Sequence, residues 1–262
     1  MAFPVCPVKI IAFEPGKDFT LMTTTLHVLA AGSLKRAFIP LCQHFSQQTG
    51  ISVSVDFGPA GLLRERIEAG ERCDLFASAN TQHPQTLLAN GRAQAAATFA
   101  FNRLNLTARK TAQTENADWL SLLVNPALRL GTSTPGCDPS GDYTFDLLAR
   151  IEAEYPDMAL TARANRLVGG RDSLIVPAGE IASAWLIRQN LTDLFIGYAH
   201  YAQALENTDD LRILTLPDAY QTRCEYQLAR LSDAAQPLEQ FIVASEGQAF
   251  LHEAGFLTLN GK

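Results

Sequence analysis

Four short turns rich in glycine, serine and proline stand out because each follows an apolar run and precedes a helical pattern. They occupy residues 31–33, 58–61, 139–141 and 177–179. The first amides of a helix have no partner within that helix, and the helix dipole makes this end positive. Small residues let a ligand approach such a backbone closely. Each turn alone is also an ordinary helix cap, but four together predict a site for a small anion.

Motifs typical of catalysis are missing from the sequence. It has no G-x-S-x-G elbow, no phosphate-binding G-x-x-x-x-G-K-[ST] loop and no G-x-G-x-x-G after a strand. The five histidines lie far apart and form no H-x-x-x-H pair. We therefore predict a binding protein and not an enzyme, with no metal and no cofactor of its own. An enzyme on the same fold is the alternative, and it would need a cluster of titratable groups in the cleft.

Alternating strand and helix patterns would position the four turns. Apolar runs typical of buried strands cover residues 26–31, 51–57, 73–79, 99–108, 128–133 and 194–198, with helical patterns between them and a closing helix at 237–254. This alternation predicts two intertwined α/β lobes with largely parallel sheets. In open α/β sheets, ligands bind at the carboxyl ends of the strands, where these turns would lie.

Length and composition agree with a two-lobed globular protein. The chain has 262 residues, of which 47% are hydrophobic and 18% charged, and its net charge is −6. At roughly 150 residues a domain, this length predicts about two units. No apolar stretch is long enough to span a membrane. Lysine and arginine are dispersed, which argues against a partner that is a nucleic acid.

The N-terminus and the cysteines leave two questions open. Residues 1–13 lack the basic start of a secretory signal, and Met22 could be the true first residue, which would make residues 1–21 an extension. No export signal is visible in the sequence. The five cysteines form no C-x-x-C pair and their number is odd, so we expect free thiols, with a bridge between Cys137 and Cys224 as the alternative.

Several segments resemble ModA-type molybdate-binding proteins, the periplasmic solute-binding components of ABC importers. They are LAAGSL (29–34), GLLRERIEAG (61–70), DLFASAN (74–80), NRLNL (102–106), IGY (196–198), EGQ (246–248) and GF (255–256). The resemblance spans about residues 25–260. It implies a type II periplasmic-binding-protein fold, in which each lobe is a mixed, mostly parallel sheet flanked by helices. Lobe 1 would take residues 1–104 and 226–262, lobe 2 residues 105–225, with hinges near Arg103 and Cys224.

The resemblance also implies which residues contact the anion. The family's five contacts fall on Ser33, Ala60, Ser140, Glu180 and Tyr198, with Gly32 and Gly61 beside the first two. The position of Glu180 has a one-residue ambiguity toward Ile181. Ala60 departs from the family, which has a serine there. The lost hydroxyl donor is worth roughly 0.5–1.5 kcal/mol, so its absence could weaken molybdate binding or redirect specificity.

A second departure is the polar loop at residues 169–173. Its Arg171 and Ser173 could reach into the cleft and bind a carboxylate or a phosphate. The alternative is a surface loop in which Asp172 pairs with Arg171. If Arg171 enters the cleft, the ligand would be a small organic or phosphorylated acid.

The sequence and the resemblance together predict a monomeric solute-binding protein. Its ligand would be a tetrahedral oxyanion, molybdate or tungstate, and its partners the membrane subunits of an ABC importer. The alternatives are a binding protein for a citrate-like or phosphorylated acid, and a cytosolic anion sensor. The family implies a periplasmic location, whereas the absence of a visible signal peptide leaves a cytoplasmic location open.

Overall fold

Two five-stranded sheets, each covered by helices, make up residues 25–259, the part of the chain that the computed structural model describes. The first sheet contains β1 (Thr25–Ala31), β2 (Ser52–Gly58), β3 (Leu75–Ser78), β4 (Ala95–Asn102) and β10 (Cys224–Arg230). The second contains β5 (Leu104–Arg109), β6 (Leu130–Ser133), β7 (Asn165–Val168), β8 (Leu194–Tyr198) and β9 (Leu211–Thr215). The predictions for residues 1–24 lie outside the described residues.

Both sheets mix parallel and antiparallel pairs. The first has the order β2-β1-β3-β10-β4, with β1 parallel to β2 and β3, and β10 antiparallel to β3 and β4. The second has the order β7-β6-β8-β5-β9, with β6 parallel to β7 and β8, and β5 antiparallel to β8 and β9. The predicted two-lobed α/β fold with mixed sheets is confirmed.

Helices cover both sheets. They are α1 (Lys35–Thr49), α2 (Ala60–Glu68), α3 (Gln82–Ala89), α4 (Trp119–Val124), α5 (Pro139–Glu154), α6 (Leu160–Arg163), α7 (Ala182–Arg188), α8 (Ala202–Leu205), α9 (Gln236–Val243) and α10 (Ser245–Glu253). Short 3-10 turns lie at Gly32–Leu34, Pro156–Met158, Ala199–Tyr201 and Asp233–Ala235. Helix α1 shows how a helix attaches, because its apolar face buries Phe38, Leu41 and Phe45 in the core.

The chain passes between the two sheets twice. Arg103 alone separates β4 from β5, so the apolar run predicted as one strand at 99–108 is two strands in different sheets. Residues 216–223 make the return connection from β9 to β10. Below, the first lobe means residues 25–102 and 224–259, and the second lobe means residues 104–223.

Two predicted helices begin or end at other residues than expected. The pattern opened by residues 177–179 becomes helical only at Ala182, because Gly179 has a positive φ of 89° that belongs to a turn. The closing helix at 237–254 is two helices, because Ala244 is extended, with ψ at 162°.

The described residues also answer whether two cysteines are bridged and whether a helix could span a membrane. Cys137 and Cys224 are both free, so the bridge left open above does not form in this structure. No helix within residues 25–259 is long and apolar enough to cross a bilayer.

Candidate functional site

A cavity of about 750 Å³ lies between the two lobes and is lined from both of them. A volume of this order is typical of small-molecule sites. All four predicted turns contribute to its wall. Six of the predicted site residues line it: Gly32, Ser33, Ala60, Ser140, Glu180 and Tyr198. The other three, Gly61, Arg171 and Ser173, are not among its lining residues.

Ser33 lies where β1 ends at the cavity. The alternative for this turn was an ordinary helix cap, but the chain continues as a 3-10 turn over Gly32–Leu34 without a side-chain cap hydrogen bond. Its hydroxyl instead lies 3.0 Å from the hydroxyl of Tyr226, which is buried on β10. The Ser33 hydroxyl is therefore held by one hydrogen bond inside the protein and keeps a second one for the cavity.

Tyr198 reaches the cavity from the second lobe, at the end of β8. It is 6% exposed, and its hydroxyl is buried without a hydrogen-bond partner among residues 25–259. Burial raises the pKa of Tyr198 well above its usual value, so the group stays a neutral donor. Its ring lies 5.7 Å from that of Tyr226, the residue bonded to Ser33. Because buried polar groups are nearly always paired, this hydroxyl marks a place for a ligand acceptor.

Helix α2 presents its N-terminus to the cavity, but its first two residues have different roles. Ala60 is buried and lines the cavity. The Gly61 amide donates to the carbonyl of Cys137 in the opposite lobe at 2.9 Å. A Cβ at Gly61 would lie 2.7 Å from the carbonyl oxygens of both Gly136 and Cys137. Gly61 therefore joins the lobes, and its amide is occupied by protein, which revises its predicted ligand role.

The N-terminus of α5 is capped by an aspartate that the sequence analysis missed. Asp138 lines the cavity, and its Oδ1 accepts the Ser140 amide at 3.0 Å. The Ser140 amide is thus already hydrogen-bonded within the protein. The hydroxyl of Ser140 remains available to a ligand. Burial raises the pKa of Asp138 to about 6, although the Ser140 amide lowers it. The sequence could have indicated this cap, because an aspartate directly before a proline is typical of the start of a helix.

The turn before α7 contributes differently from what the resemblance implied. The Glu180 amide donates to the Pro177 carbonyl at 3.2 Å, so this N–H group is already used and is not free to bind a ligand. Its side chain is exposed at the cavity wall. Since α7 begins at Ala182, the amides of its first turn belong to Ala182 and Ser183, both of which line the cavity.

Neither Arg171 nor Ser173 of the 169–173 loop lies in the cavity wall. Arg171 is exposed and forms an ion pair with Glu65 of the first lobe. The Ser173 hydroxyl accepts the Gly170 amide at 2.8 Å and lies 3.2 Å from the Thr134 hydroxyl. The predicted cleft contact of these two residues is therefore revised. The loop is on the surface, as the alternative had it, but the partner of Arg171 is Glu65 and not Asp172.

The cavity also has a charged and apolar part that sequence reasoning did not find. Lys35 and Arg36 line it from the first turn of α1, and neither takes part in an ion pair with another described residue. Ile39, Leu174 and Ile175 line it as well, and each is more than a third exposed. No group of three or more metal-ligating side chains occurs within residues 25–259. Beside the carboxyl groups of Asp138 and Glu180, the wall thus provides neutral donors and two cations, which suit an anionic ligand.

Two lobes, each built on a five-stranded mixed sheet, around a ligand-sized cavity give the two-lobed α/β fold of binding proteins. Residues 26–257 match the family described as bacterial extracellular solute-binding protein, and the chain belongs to this family. An uncharacterized protein of Pasteurella multocida is 43% identical over 239 residues, which cover 90% of this chain and 99% of that protein. A Haloferax volcanii protein, provisionally named an ABC transporter molybdenum-binding protein, is 28% identical and covers 88% of this chain and 81% of its own.

Solved structures share the fold over most of the chain. The periplasmic molybdate-binding protein of Azotobacter vinelandii has a TM-score of 0.69 at 20% identity, covering 88% of this chain and 98% of its own. The sulfate-binding protein SubI of Mycobacterium tuberculosis has a TM-score of 0.73 at 18% identity, covering 90% and 88%. AfuA of Actinobacillus pleuropneumoniae, with fructose 6-phosphate bound, has a TM-score of 0.71 at 15% identity, covering 90% and 86%. At these identities the structures establish the fold and not the ligand.

Proposed function

We propose that this protein captures a small tetrahedral oxyanion, molybdate or tungstate, between its lobes and delivers it to the membrane subunits of an ABC importer. Membership of the extracellular solute-binding family supports the transport role. The likeness to a molybdenum-binding protein and to a molybdate-binding structure supports the ligand class. Neutral donors at the end of β1, at the start of α2 and on β8 support recognition of an oxyanion without a metal.

The observation that carries the proposal is the buried hydroxyl of Tyr198. It is buried and has no hydrogen-bond partner among the described residues, while Ser33 faces the same cavity from the other lobe. A ligand oxygen that accepts from both hydroxyls would satisfy both groups and would hold the lobes together. Hydrogen bonds to a charged acceptor contribute about 1.5–3 kcal/mol each.

A thermal-shift panel tests the proposal. Molybdate, tungstate, sulfate, phosphate, citrate and 3-phosphoglycerate would be compared, followed by calorimetric titration of those that stabilise the protein. An anion present at 100 times its Kd stabilises the folded state by about 2.7 kcal/mol, or roughly 5–10 °C for a protein of this size. We expect molybdate and tungstate to give such shifts. Stabilisation by citrate or by phosphoglycerate alone would contradict the choice of ligand.

A small phosphorylated or carboxylic acid is the second candidate, and the size and lining of the cavity favour it. About 750 Å³ exceeds what a bare oxyanion fills, and Lys35, Arg36 and the apolar Ile39 line the remainder. The neighbouring structure of AfuA with fructose 6-phosphate belongs to a protein with such a ligand. Lys35→Ala and Arg36→Ala distinguish the two candidate ligands. Each substitution should lower the affinity for an extended acid at least tenfold and the affinity for tungstate less than threefold.

The proposed transport role also requires export, which a fractionation experiment tests. The protein would be expressed from its natural gene in its own host, and the periplasmic and cytoplasmic fractions probed. Recovery from the periplasm supports the importer role. Recovery from the cytoplasm alone would favour the anion-sensor alternative.

A further inference from the structure

We propose that the cavity contains an uncharged polar subsite, formed by Asn105, Thr107 and Ser183 of the second lobe, which binds the hydroxyl groups of a polyol phosphate. The inference rests on the second candidate of the proposed function, an extended acid, and it names the chemistry of the extended part. All three side chains belong to residues that line the cavity. None of them was part of the predicted anion site.

Asn105 and Thr107 face the cavity because β5 has one apolar and one polar side. Successive side chains of a strand point to opposite faces of its sheet. Leu104, Leu106 and Ala108 have 0% exposure and belong to the core. Asn105 and Thr107 alternate with them and line the cavity, at 5% and 2% exposure. Two polar side chains at alternate positions of one strand therefore face the cavity.

The polar atoms of these side chains have no partner inside the protein. Neither Asn105 nor Thr107 forms a side-chain hydrogen bond with another residue among 25–259, and neither is sealed from solvent. The same holds for Ser183, which lies in the first turn of α7 and is 7% exposed. Because buried polar side chains are seldom left unpaired, these groups mark places where a ligand would supply the partners.

The wall next to these groups includes an aromatic ring. In the pairing of β5 with β8, Asn105 lies opposite Gly197 and Thr107 lies opposite Phe195. A Cβ at Gly197 would lie 3.1 Å from Cε1 of Phe195, so the Phe195 ring lies over Gly197, and both residues line the cavity. An apolar ring beside a few polar groups is typical of a small-molecule site, and it can contact the C–H groups of a carbon chain.

The charged groups of the cavity lie on other elements. Among the described residues, those of β5, α7 and β8 that line the cavity are all uncharged. Lys35 and Arg36 line it from α1, Asp138 from the start of α5 and Glu180 from the turn before α7. A buried charge without a counter-charge is costly. The polar subsite therefore favours the neutral part of a ligand.

The hydrogen-bonding groups of the polar subsite match hydroxyls and not an oxyanion. The hydroxyls of Thr107 and Ser183 both donate and accept, and the amide of Asn105 has one accepting and one donating atom. A ligand hydroxyl also donates and accepts, so it can pair with any of these atoms. A fully ionised oxyanion only accepts and would leave Asn105 Oδ1 without a partner.

Matched pairs of ligands test this inference. Glycerol 3-phosphate would be compared with propyl phosphate, and ribose 5-phosphate with pentyl phosphate, by calorimetric titration. The members of each pair share the phosphate and the number of carbon atoms and differ in their hydroxyls. We expect the wild type to bind the hydroxylated member of at least one pair about fivefold more tightly or better. A smaller ratio in both pairs would overturn the inference.

Two variants place the hydroxyls at the proposed residues. Thr107→Val and Asn105→Leu nearly keep the shape of the side chain but remove its polar atoms. Each should lower the preference for the hydroxylated ligand about threefold or more, and each should leave tungstate affinity within twofold. Ser183→Ala serves the same purpose if either variant fails to fold. A preference that stays at the wild-type ratio in these variants would overturn the inference.

Thr144→Val is the matched control. Thr144 has 0% exposure, its hydroxyl has no partner among the described residues, and it does not line the cavity. The control removes the same hydroxyl as Thr107→Val but outside the proposed subsite. It should leave the affinities for tungstate and for the hydroxylated ligand within twofold of the wild type.

The outcomes separate the inference from the proposed function. If tungstate binds and neither hydroxylated phosphate is preferred, the polar subsite is wrong and the oxyanion site remains supported. If no anion binds but ribose or glycerol binds and Thr107→Val abolishes this binding, the proposed function is wrong and the polar subsite remains supported. If none of these compounds binds, both are wrong.

Discussion

At the scale of single residues, Tyr198 has an effect on stability opposite in sign to its effect on binding. Its hydroxyl is buried without a partner among the described residues. Removing an unsatisfied buried hydroxyl costs nothing in the free protein, so Tyr198→Phe should keep or raise its stability by up to about 1 kcal/mol. The same change should weaken oxyanion binding about ten- to a hundredfold. Chemical denaturation of the free protein and calorimetric titration measure the two effects, and a clear loss of stability would show that the hydroxyl is satisfied within the protein.

Asp138 should make the stability of the free protein depend on pH. Burial raises its pKa to about 6 from an ordinary 3.8. A group whose pKa is raised on folding stabilises the folded state at low pH, and this contribution is lost as pH rises through the folded pKa. Asp138→Asn keeps the acceptor for the Ser140 amide but cannot ionise. We expect the variant to match the wild type near pH 4 and to exceed its stability by about 1–3 kcal/mol at pH 7.5.

Thermal melts of both proteins across pH 4–8 check this expectation. Asp142 is the nearby carboxyl whose charge also acts on Asp138, so Asp142→Asn is the matched control. The melting temperature of Asp142→Asn should be displaced from that of the wild type but should still depend on pH. Parallel curves for Asp138→Asn and the wild type would show that Asp138 does not titrate in this range.

Residues within a local turn could be predicted, and residues that meet only after folding could not. Ser33 lies in the sequence LAAGSL and Tyr198 in IGY, so neighbours in the chain marked them. Tyr226 comes 193 residues after Ser33, and nothing near it in sequence distinguishes it from any strand aromatic. Lys35 and Arg36 are plainly charged in the sequence. Their place in the cavity wall could not be predicted, because the second lobe forms the other side of that cavity.

At the scale of elements, the N-terminus of α2 depends on the absence of a side chain at Gly61. A Cβ there would lie 2.7 Å from two carbonyl oxygens of the opposite lobe, too close for any real contact. Gly61→Ala should therefore hold the lobes apart and weaken ligand binding at least tenfold. Gly32→Ala adds the same methyl group without that clash, since its Cβ would come no closer than 4.0 Å to another protein atom. Because Gly32 lines the cavity, this variant should change affinity only through the ligand and should leave the closing of the lobes intact.

Small-angle scattering with and without ligand distinguishes this cause from simple unfolding. The Gly61→Ala protein should keep its helical circular dichroism but should lose the decrease in radius of gyration on ligand addition. Normal compaction with normal affinity would show that the two lobes tolerate the added methyl group.

The sequence predicted most elements and missed where two of them are interrupted. Residues 99–108 form a continuous apolar run, so periodicity alone could not show that Arg103 turns the chain from one sheet to the other. The closing helix was read through Ala244, since alanine favours helices and its extended backbone is imposed by packing. In both cases tertiary contacts decide against a local preference.

At the scale of the whole molecule, the exposed ion pair between Arg171 and Glu65 joins the lobes from outside the cavity. Exposed pairs contribute about 0–1 kcal/mol, so Arg171→Ala should change ligand affinity less than about fivefold and less still at high salt. A direct contact between Arg171 and an anionic ligand would instead cost a hundredfold or more. Titrations at low and high ionic strength decide between these values, and Glu65→Gln should behave as Arg171→Ala does.

The position of β10 has a consequence for the order in which the molecule can be built. This strand lies between β3 and β4 in the sheet. In the chain, however, its first residue, Cys224, comes 122 residues after Asn102, the last residue of β4. Until the ribosome has released residues 224–230, β3 and β4 each have an open edge that invites pairing with another chain. The second lobe has all its strands in one uninterrupted stretch and can form earlier. Synthesis therefore leaves the sheet of the first lobe incomplete until residue 230 has been made, so this sheet can close only when nearly the whole chain is available.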